Sequence, residues 1–286
     1  MDEERQELYF ELVVGLECEK LTDVRIKLYE GIAGTVAATG KPLLVDCDIE
    51  NDPRFSKKID ELTGFTTRSV ICMPLKINER VIGVLEIINI KNIDLFKEES
   101  LPFLAILAEF MAIAITNARN FKKIEFLAIT DDVTGFYNTR FLHEHLDKLL
   151  EQEKNIALAF LDLDDFKKVV DAHGHLLGSK MLKEVALIID DNIDICDSLV
   201  RYGGDEYVVI MPGQNKSDAY HKMIGVRLAL DNASFLRSEG LDVKISASFG
   251  VAGYPEDAVD KKILLQIADD AMYHSKALGK DTITMS

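Results

Sequence analysis

Two short segments of the sequence carry side chains that suit metal and phosphate chemistry. The first, Asp162 to Lys167, places acids directly after an apolar run, and the second, Gly203 to Glu206, joins two glycines to two carboxylates. If the segments meet, Asp162, Asp205 and Glu206 form a cluster of like charges that repels itself unless a cation neutralises it. Hard oxygen ligands that leave room for phosphate oxygens suit Mg²⁺. The sequence therefore suggests a magnesium site next to a phosphate-binding site.

A third element, the pair Lys276 and Lys280, lies in a helical pattern at a spacing of one turn. Residues at this spacing share one helical face, so both lysines can reach a triphosphate. Each of the three elements also has a simpler interpretation. An Asp after a strand is commonly a cap or turn former, a Gly pair is commonly a turn, and a lysine pair is commonly a solvated face. Spacing alone leaves both interpretations open.

The apolar pattern of the second half predicts elements that bring these segments to the edge of a sheet. IALAFLDL, 156–163, is typical of a buried strand, and 198–211 is typical of a hairpin that turns on Gly203-Gly204. A further strand is predicted over 243–252. Helices are predicted over 141–152, 179–192, 217–234 and 261–279. This order of elements indicates an α/β (α+β) domain with a mostly antiparallel sheet.

The first half reads as a second domain of mixed elements. The patterns predict a strand over 8–14, a short helix over 31–40, an extended stretch over 42–47 and a hairpin of strands 69–77 and 81–90.

From 97 to 129 the pattern becomes helical, with one apolar stripe. Its residues are Leu101, Leu104, Ala108, Met111 and Ile115. The stripe has two interpretations: it packs on its own domain, or it forms a parallel two-helix seam between protomers.

Composition limits the possible partners and the location of the protein. The chain has 286 residues, enough for two domains, and a net charge of −16. An acidic surface argues against nucleic-acid binding. The most apolar run, Leu101 to Ile115, is short for a membrane span and contains Glu109. No signal peptide is recognisable, and the four cysteines lack metal-ligand spacing, so a cytoplasmic protein with free, buried thiols and no membrane segment in this chain is expected.

Six ordered motifs in residues 130–286 resemble the GGDEF-domain nucleotide cyclases, bacterial-type signalling enzymes. RYGGDEYVVIMP at 201–212 is similar to the family signature, with Tyr207 in place of Phe. The other resembling segments are 131–138, 162–167, 174–178, 248–252 and 268–280. The resemblance implies a fold like that of class III nucleotidyl cyclases and polymerase palms. It also implies a homodimer in which each domain binds one nucleoside triphosphate and the two nucleotides condense with release of pyrophosphate.

The resemblance also assigns roles to residues of this chain. Asp162, the carbonyl of Leu163, Asp205 and Glu206 would hold two Mg²⁺ (or Mn²⁺) ions per active site. Asp205 or Glu206 would help to deprotonate the 3′-hydroxyl.

The phosphates would lie against the backbone amides of Asp165, Phe166 and Lys167. Lys276 and Lys280 would hold the β and γ phosphates. Lys280 replaces the arginine that is usual in the family, which keeps the charge but loses the bidentate fork.

Two departures from the family pattern fall on residues that contact the base. Val170 stands where the family has Asn, and Ser179 stands where it has Asp. An ionised Asp only accepts hydrogen bonds and suits the donors of guanine, whereas a Ser hydroxyl can serve either purine. The Ser resembles the hybrid, promiscuous (Hypr) branch of the family.

Three hypotheses follow from these departures. The first is synthesis of cyclic GMP-AMP from ATP and GTP, with cyclic di-GMP as a by-product. The second is an ordinary GTP-only diguanylate cyclase, and the third is an inactive nucleotide-binding module. Asp194 stands where the RxxD product-inhibition motif has Arg. We therefore expect no product feedback through that site.

Five segments of the first half carry a second resemblance: 31–45, 52–55, 69–74, 81–85 and 114–118. Through them residues 31–118 resemble a GAF sensor domain, whose start at the N-terminus is expected to be incomplete. Of the NKFDE-type motif that marks cyclic-nucleotide-binding GAF domains, Asn89 and Phe96 fit and the acidic positions do not. Two interpretations remain, a sensor for an unknown small molecule that acts through the 98–129 helix, and a dimerisation module without a ligand. The predicted domains are 1–118 (GAF), 119–130 (helical linker) and 131–286 (GGDEF).

Overall fold

The computed structural model describes residues 1–2, 5–15, 18–46, 48–91, 100–152 and 155–286. The chain divides into two compact units, Met1–Lys122 and Lys123–Ser286.

The N-terminal unit opens with small elements. Strands β1 (Glu7–Tyr9) and β2 (Arg25–Lys27) pair antiparallel, and helix α1 (Gly31–Thr39) ends at Gly40 with a φ of 62°. Strand β3 (Leu43–Val45) and helix α2 (Lys58–Thr63) follow. The strand predicted over 8–14 is wrong beyond Tyr9. Leu12 and Val14 are 82% and 85% exposed, so no burial favours a strand there.

The predicted hairpin is confirmed as β4 (Val70–Ile77) and β5 (Arg80–Ile88). Its two-residue turn, Asn78-Glu79, has φ values of 48° and 65°, as a type I′ turn requires. The three strands form an antiparallel sheet in the order β3-β4-β5.

Helix α3 (Leu101–Ile129) packs one face on β4. Leu104, Ala108 and Ala112 form a core cluster with Ile71, Met73 and Leu75. The interpretation that the stripe packs on its own domain is confirmed for Leu104 and Ala108, whereas Met111 is 39% exposed.

By length and composition alone, α3 is also apolar enough to cross a membrane. The expectation of no membrane segment rested on an apolar run that ends at Ile115. In the structure the helix continues past this residue to Ile129. The prediction of no membrane segment in this chain is therefore not supported for this helix.

The C-terminal unit alternates helices and strands around one sheet. Its elements are α4 (Thr139–Gln152), β6 (Ile156–Leu163), α5 (Phe166–Asp190), β7 (Ser198–Gly203), β8 (Glu206–Pro212), α6 (Lys216–Asn232), β9 (Ala247–Tyr254), α7 (Lys261–Ala277) and β10 (Ile283–Met285). The sheet order is β10-β9-β6-β8-β7, with β10 parallel to β9 and the other pairs antiparallel. The predicted mostly antiparallel sheet is confirmed. Helix α5 begins earlier than the predicted residue 179 and kinks at Gly174, which has a φ of 83°.

The alternation of β6 decides which helix each side chain meets. Ala157, Ala159 and Leu161 lie in the core cluster that holds residues of α5 and α6. The alternate residues, such as Leu158 and Phe160, lie in the cluster that holds residues of α4 and α7. Because successive side chains of a strand point to opposite faces, Asp162 belongs to the α7 face.

The packing of α7 on β9 requires a glycine. A Cβ atom at Gly250 would lie 2.1 Å from the Ala268 carbonyl oxygen and 2.1 Å from the Met272 nitrogen. This close approach sets the position of the C-terminal part of α7, which carries Lys276.

Two of the four cysteines have described side chains. Cys72 is buried and Cys196 is exposed, so the prediction of buried thiols is wrong for Cys196. Cys47 and the side chain of Cys18 lie outside the described residues.

Candidate active site

The end of β6 meets the β7–β8 hairpin, as the sequence predicted. Asp162 lies opposite Glu206 in the β6–β8 register, and the Leu163 amide donates to the Asp205 carbonyl at 3.2 Å. Directly opposed residues on neighbouring strands present their side chains on one face. Asp162 is buried, and Asp205 and Glu206 are half-buried. Acids from two separate chain segments therefore share one edge of the sheet.

A lysine ammonium lies at this acidic edge. Lys276 Nζ is 2.7 Å from Asp162 Oδ1. Burial, with the charge of Asp205, raises the pKa of Asp162 despite Lys276. Burial, followed by the charges of Asp162 and Asp269, raises the pKa of Glu206. A divalent cation would stabilise the ionised form of these carboxylates, and hard oxygen donors beside a strand end fit such a metal.

The carboxylate oxygens at this edge do not lie close enough together to form a compact set of metal ligands. Among the described residues, the group whose acid or thiol ligand atoms all lie within 4.8 Å of one another is Asp194, Cys196 and Asp197. Lys222 already pairs with Asp194 at 2.6 Å and also with Asp197. The residue that replaces the family's inhibitory arginine thus takes part in an ion-pair network of its own.

The hairpin tip is held by an arginine that the sequence analysis did not single out. The turn residues are Gly204 and Asp205, not Gly203 and Gly204 as predicted, and Gly204 has a φ of 54°. Arg201 donates to the Gly204 carbonyl at 3.0 and 2.7 Å and to both Asp131 carboxylate oxygens at 3.0 Å. These contacts clamp the tip to a segment seventy residues earlier. No local pattern reveals such a pair, although both residues lie in family-like motifs.

Helix α5 begins directly after β6, so its first residues lie close to the acidic end of that strand. Asp165 precedes the helix with a φ of 58°, and the first amides of a helix, here those of Phe166 and Lys167, point outward without helical partners. Such a helix start favours phosphate. Lys280 Nζ is 2.9 Å from Asp165 Oδ1, and this contact lowers the pKa of Asp165.

The two lysines do not share a helical face, so that prediction is wrong. Helix α7 ends at Ala277, and Lys280 follows Gly279 with a φ of 68°. Because the chain has left the helix, Lys276 pairs with Asp162 and Lys280 with Asp165. The lysines therefore serve two different acids at the site.

Asp164 is a buried carboxylate whose role the sequence analysis missed. It accepts hydrogen bonds from Ser246 Oγ at 2.7 Å, Ser248 Oγ at 2.8 Å and the Asp281 amide at 3.1 Å. The last contact fixes the segment that carries Lys280. Two serines at alternate positions beside β9 are the only sequence signal, and it is weak without the fold.

A cavity of about 360 Å³ opens between α5 and the hairpin tip. Val170 and Ser179, the base-contact candidates, line it together with Phe166, Lys167 and Asp205. Lys276 and Lys280 lie outside this lining. The cavity is thus shared by the start of α5, the hairpin and the two positions at which the chain departs from the family.

The wall of this cavity is tightly packed at Gly178. A Cβ atom there would lie 3.0 Å from Val170 Cγ2 and 3.5 Å from Phe166 Cζ. Tyr207, which replaces the usual Phe, is fully buried and donates its hydroxyl to the Leu182 carbonyl at 2.8 Å. The substitution is accommodated because the added hydroxyl finds a partner.

Asn89 has a structural position in the N-terminal unit. Its side-chain oxygen accepts from the Arg68 amide at 2.7 Å, and its nitrogen donates to the Thr66 carbonyl at 2.8 Å. Phe96, the other candidate residue of the nucleotide-binding motif, lies outside the described residues.

The sequence matches two known families over most of its length. Residues 128–282 match the GGDEF domain of diguanylate cyclases, and residues 3–115 match the GAF domain. The first match covers more than half of the chain. The chain therefore belongs to the GGDEF diguanylate cyclase family and carries an N-terminal GAF domain.

The matches to known relatives span different shares of this chain. The response regulator PleD of Caulobacter vibrioides is 32% identical over 162 residues, which cover 55% of this chain and 36% of PleD. Diguanylate cyclase A of Treponema denticola is 27% identical over 243 residues, which cover 84% of this chain and 65% of that protein. The matched region is thus about a third of the length of PleD.

Among solved structures, the coiled coil and GGDEF domain of DgcB from Caulobacter crescentus, in complex with c-di-GMP, is similar. It has a TM-score of 0.61 and 26% identity, and the match covers 65% of this chain and all of that chain. The central sheet and the helices of the C-terminal unit are therefore those of GGDEF domains.

Proposed function

We propose that the C-terminal unit condenses two nucleoside triphosphates into a 3′,3′-cyclic dinucleotide and releases pyrophosphate. The observation that carries the proposal is the acidic edge, where Asp162 faces Glu206 in register and Lys276 lies 2.7 Å from Asp162. The family match and the cavity of about 360 Å³ beside that edge, a volume within the range of small-molecule sites, support it.

Asp162, the Leu163 carbonyl, Asp205 and Glu206 would hold Mg²⁺ or Mn²⁺, two per active site. When bound, these ions would neutralise charge on the phosphates and on the attacking and leaving oxygens.

The chain's own residues hold the phosphates and accept the proton. The 3′-oxygen of each nucleotide bonds to the α-phosphorus of the other, and the bond from each α-phosphorus to its pyrophosphate breaks, so that two pyrophosphates leave. Each hydroxyl proton passes to Asp205 or Glu206 of one catalytic unit. The backbone amides of Asp165, Phe166 and Lys167 would bind phosphate, as would Lys276 and Lys280 once they leave Asp162 and Asp165.

For the product, we propose cyclic GMP-AMP from ATP and GTP, with cyclic di-GMP as a by-product. Ser179 lines the cavity and offers either a donor or an acceptor, and Val170 offers no hydrogen bond at all. Guanine preference should therefore be weaker than in members that carry Asp and Asn. A GTP-only diguanylate cyclase with tolerated substitutions is the second candidate, because the relatives named above include diguanylate cyclases.

One assay separates these candidates. The full chain is incubated with Mg²⁺ and ATP, GTP or both, and the products are identified by mass. Cyclic GMP-AMP in the mixed reaction supports the first candidate, and cyclic di-GMP alone supports the second. Nucleotide binding without any product would contradict the proposed catalysis.

A matched pair of variants tests the role of Ser179. Ser179→Asp restores an acceptor-only side chain, and we expect the product ratio to shift towards cyclic di-GMP by roughly tenfold or more, as for a charged hydrogen bond. Ser179→Ala, which adds no acceptor, is the control and should not shift the ratio in that direction. An unchanged ratio in Ser179→Asp would refute this assignment.

We also propose how the enzyme is assembled and regulated. We expect a cytoplasmic homodimer, controlled by the GAF domain with or without an unidentified small-molecule ligand, and no partnership with nucleic acid. Product feedback at Asp194 is not expected, because this carboxylate would repel an anionic dinucleotide. Undiminished initial rates in the presence of added cyclic di-GMP would support that expectation, and strong inhibition would contradict it.

A further inference from the structure

The segment that joins α7 to β10 has an unusual backbone. Gly279, Lys280 and Asp281 have φ values of 120°, 68° and 44°, so three consecutive residues have a positive φ. Glycine adopts such values freely, whereas a residue with a side chain does so at a cost in free energy. A residue with a side chain keeps such a conformation only where its surroundings fix it, and functional sites are where this is commonly seen. The segment 279–281 therefore depends on contacts with the rest of its unit.

Backbone hydrogen bonds supply part of this support. The Lys280 amide donates to the Ser275 carbonyl at 3.2 Å, which ties the segment to α7. The Asp281 amide donates to Asp164 Oδ2 at 3.1 Å, which ties it to the residue that follows β6. Neither contact involves the carbonyl or the carboxylate of Asp281.

A side chain of α6 binds both of these groups. Arg227 Nη1 donates to the Asp281 carbonyl at 3.0 Å and to Asp281 Oδ1 at 2.9 Å, across 54 residues of the chain. The two side chains are 29% and 42% exposed, and an ion pair with this exposure contributes little to the stability of a whole fold. Its effect is local, because one cation fixes the carbonyl and the carboxylate of a residue that has a positive φ.

The segment also carries Lys280, a candidate phosphate ligand. Lys280 Nζ is 2.9 Å from Asp165 Oδ1, directly before the start of α5. The first amides of α5 point outward at the same place, so a phosphate bound to them can meet the Lys280 ammonium. Because Lys280 is bonded directly to Asp281, the place from which its side chain extends depends on how Asp281 is fixed.

We propose that Arg227 is a positioning residue, which acts through Asp281 to place Lys280 at the terminal phosphates of the nucleotide. The proposal rests on the proposed function, because it takes a nucleoside triphosphate as the ligand and Lys280 as a group that binds its β and γ phosphates. Arg227 is not among the residues that line the cavity beside α5, so its effect on the nucleotide passes through Lys280. The chain thereby distinguishes a triphosphate from a monophosphate with the help of a side chain outside the site.

A purely structural role for Arg227 makes a different prediction. In that case its loss would loosen α6 against the sheet and would weaken the binding of every nucleotide to the same extent. The positioning role predicts a selective loss instead, confined to ligands that carry the β and γ phosphates.

Equilibrium binding separates the two roles. The full chain is titrated, with Mg²⁺ present, with GMP and with a GTP analogue whose α–β bridging oxygen is a methylene group, so that it cannot be condensed. Arg227→Gln should weaken binding of the analogue by about threefold to tenfold, the effect of losing a hydrogen bond, and leave the affinity for GMP unchanged. Equal losses for the two ligands, or an unchanged affinity for the analogue, would overturn the proposal.

The matched control is Arg140→Gln on α4. It removes another guanidinium that pairs with a carboxylate, that of Glu144, and it should bind both ligands as the wild type does.

A double-mutant cycle with Lys280 tests the route of the effect. If Arg227 acts through Lys280, Arg227→Gln should cause no further loss of analogue binding in a Lys280→Ala chain, from which the ammonium is missing. An undiminished loss in that chain would show another route and overturn the proposal.

The conservative variant is Arg227→Lys. A single nitrogen of Arg227 makes both hydrogen bonds, so a lysine ammonium can replace it, and we expect most of the affinity for the analogue to be retained.

Asp281→Gly changes the same contact from the other partner, and it decides the matter if Arg227→Gln does not fold. Glycine adopts the φ of this position without strain, so the variant removes the carboxylate without forcing a new backbone conformation. We expect a selective loss of analogue binding in the same direction as for Arg227→Gln. Analogue binding equal to that of the wild type would contradict the proposal.

Cyclase kinetics keep this proposal separate from the proposed function. In Arg227→Gln the KM for GTP should rise as binding falls, whereas kcat at saturating nucleotide should stay within about twofold of the wild type. A wild-type chain that binds the analogue more tightly than GMP, loses this preference in Arg227→Gln and forms no cyclic dinucleotide would support the role of Arg227 and contradict the proposed function instead.

Discussion

The acidic edge and the base cavity of the C-terminal unit differ in how their side chains are held. At the edge, Asp162 and Asp165 are each ion-paired, and Asp164 accepts three hydrogen bonds. In the cavity, Val170 offers no polar group. The edge keeps the metal-binding carboxylates of the family pattern and departs from it at Lys280, which keeps the positive charge, whereas the cavity carries the two departures at the base-contact positions. Catalytic chemistry and base choice are therefore expected to vary independently in this fold.

Asp162→Asn, at the acidic edge, should have the largest effect on cyclase activity. We expect cyclase activity to fall at least about 100-fold, because several kcal/mol of charge stabilisation depend on the acids that hold the metal. The rate of pyrophosphate release measures the loss. Asp270→Asn, an exposed acid that accepts from Gln266, is the control and should retain its activity. Near-normal activity of Asp162→Asn would break the assignment of the edge as the catalytic site.

Asp164→Ala tests whether the hydrogen bonds of buried Asp164 stabilise the acidic edge. The substitution leaves Ser246, Ser248 and the Asp281 amide without their acceptor, so we expect a loss of about 1–3 kcal/mol in the free energy of unfolding. Urea denaturation measures it. Because the Lys280 segment loosens, KM for the nucleotides should rise as well. The adjacent exposed Asp165→Asn, which keeps a side chain that tolerates the positive φ of this position, should unfold like the wild type, and equal destabilisation of both would contradict the distinction.

Val170→Asn tests the cavity without touching the edge. A side chain of similar size that can hydrogen-bond a base should raise the preference for GTP over ATP by roughly threefold to tenfold. Competition assays with both nucleotides measure the ratio. Val170→Ala is the control, since it adds no polar group. A fall in rate without any change in preference would show that the two regions are not separable.

Tyr207→Phe should have the smallest effect and restores the family residue. Its hydroxyl donates to the Leu182 carbonyl in the core, so its removal should cost about 1 kcal/mol of stability and leave the product ratio unchanged. Thermal unfolding and product analysis measure the two quantities. Tyr202→Phe, at an exposed position on the neighbouring strand, should change neither. A changed product ratio in Tyr207→Phe would show that core packing at Tyr207 affects which base the cavity accepts.

Local patterns predicted the strands and helices that carry most of the site. The buried run 156–163 and the hairpin after 198 formed as expected, because a continuous apolar run of strand length and turn chemistry both act over a few residues. The strand after Leu8 and the shared face of Lys276 and Lys280 were wrong. The first failed because nothing covers Leu12 and Val14, and the second because the chain leaves α7 before Lys280. Neither reason is visible in a local pattern.

By itself, the sequence determined the family, the order of elements and the chemical types at the site, since these follow from residue identity and short-range periodicity. The tertiary structure alone decided which charges meet: Arg201 with Asp131, Asp164 with Asp281, and Lys276 with Asp162. It also decided that α3 turns one apolar face inward and leaves the other open. The physical reason is that these contacts join residues far apart in the chain, and only packing specifies their distance.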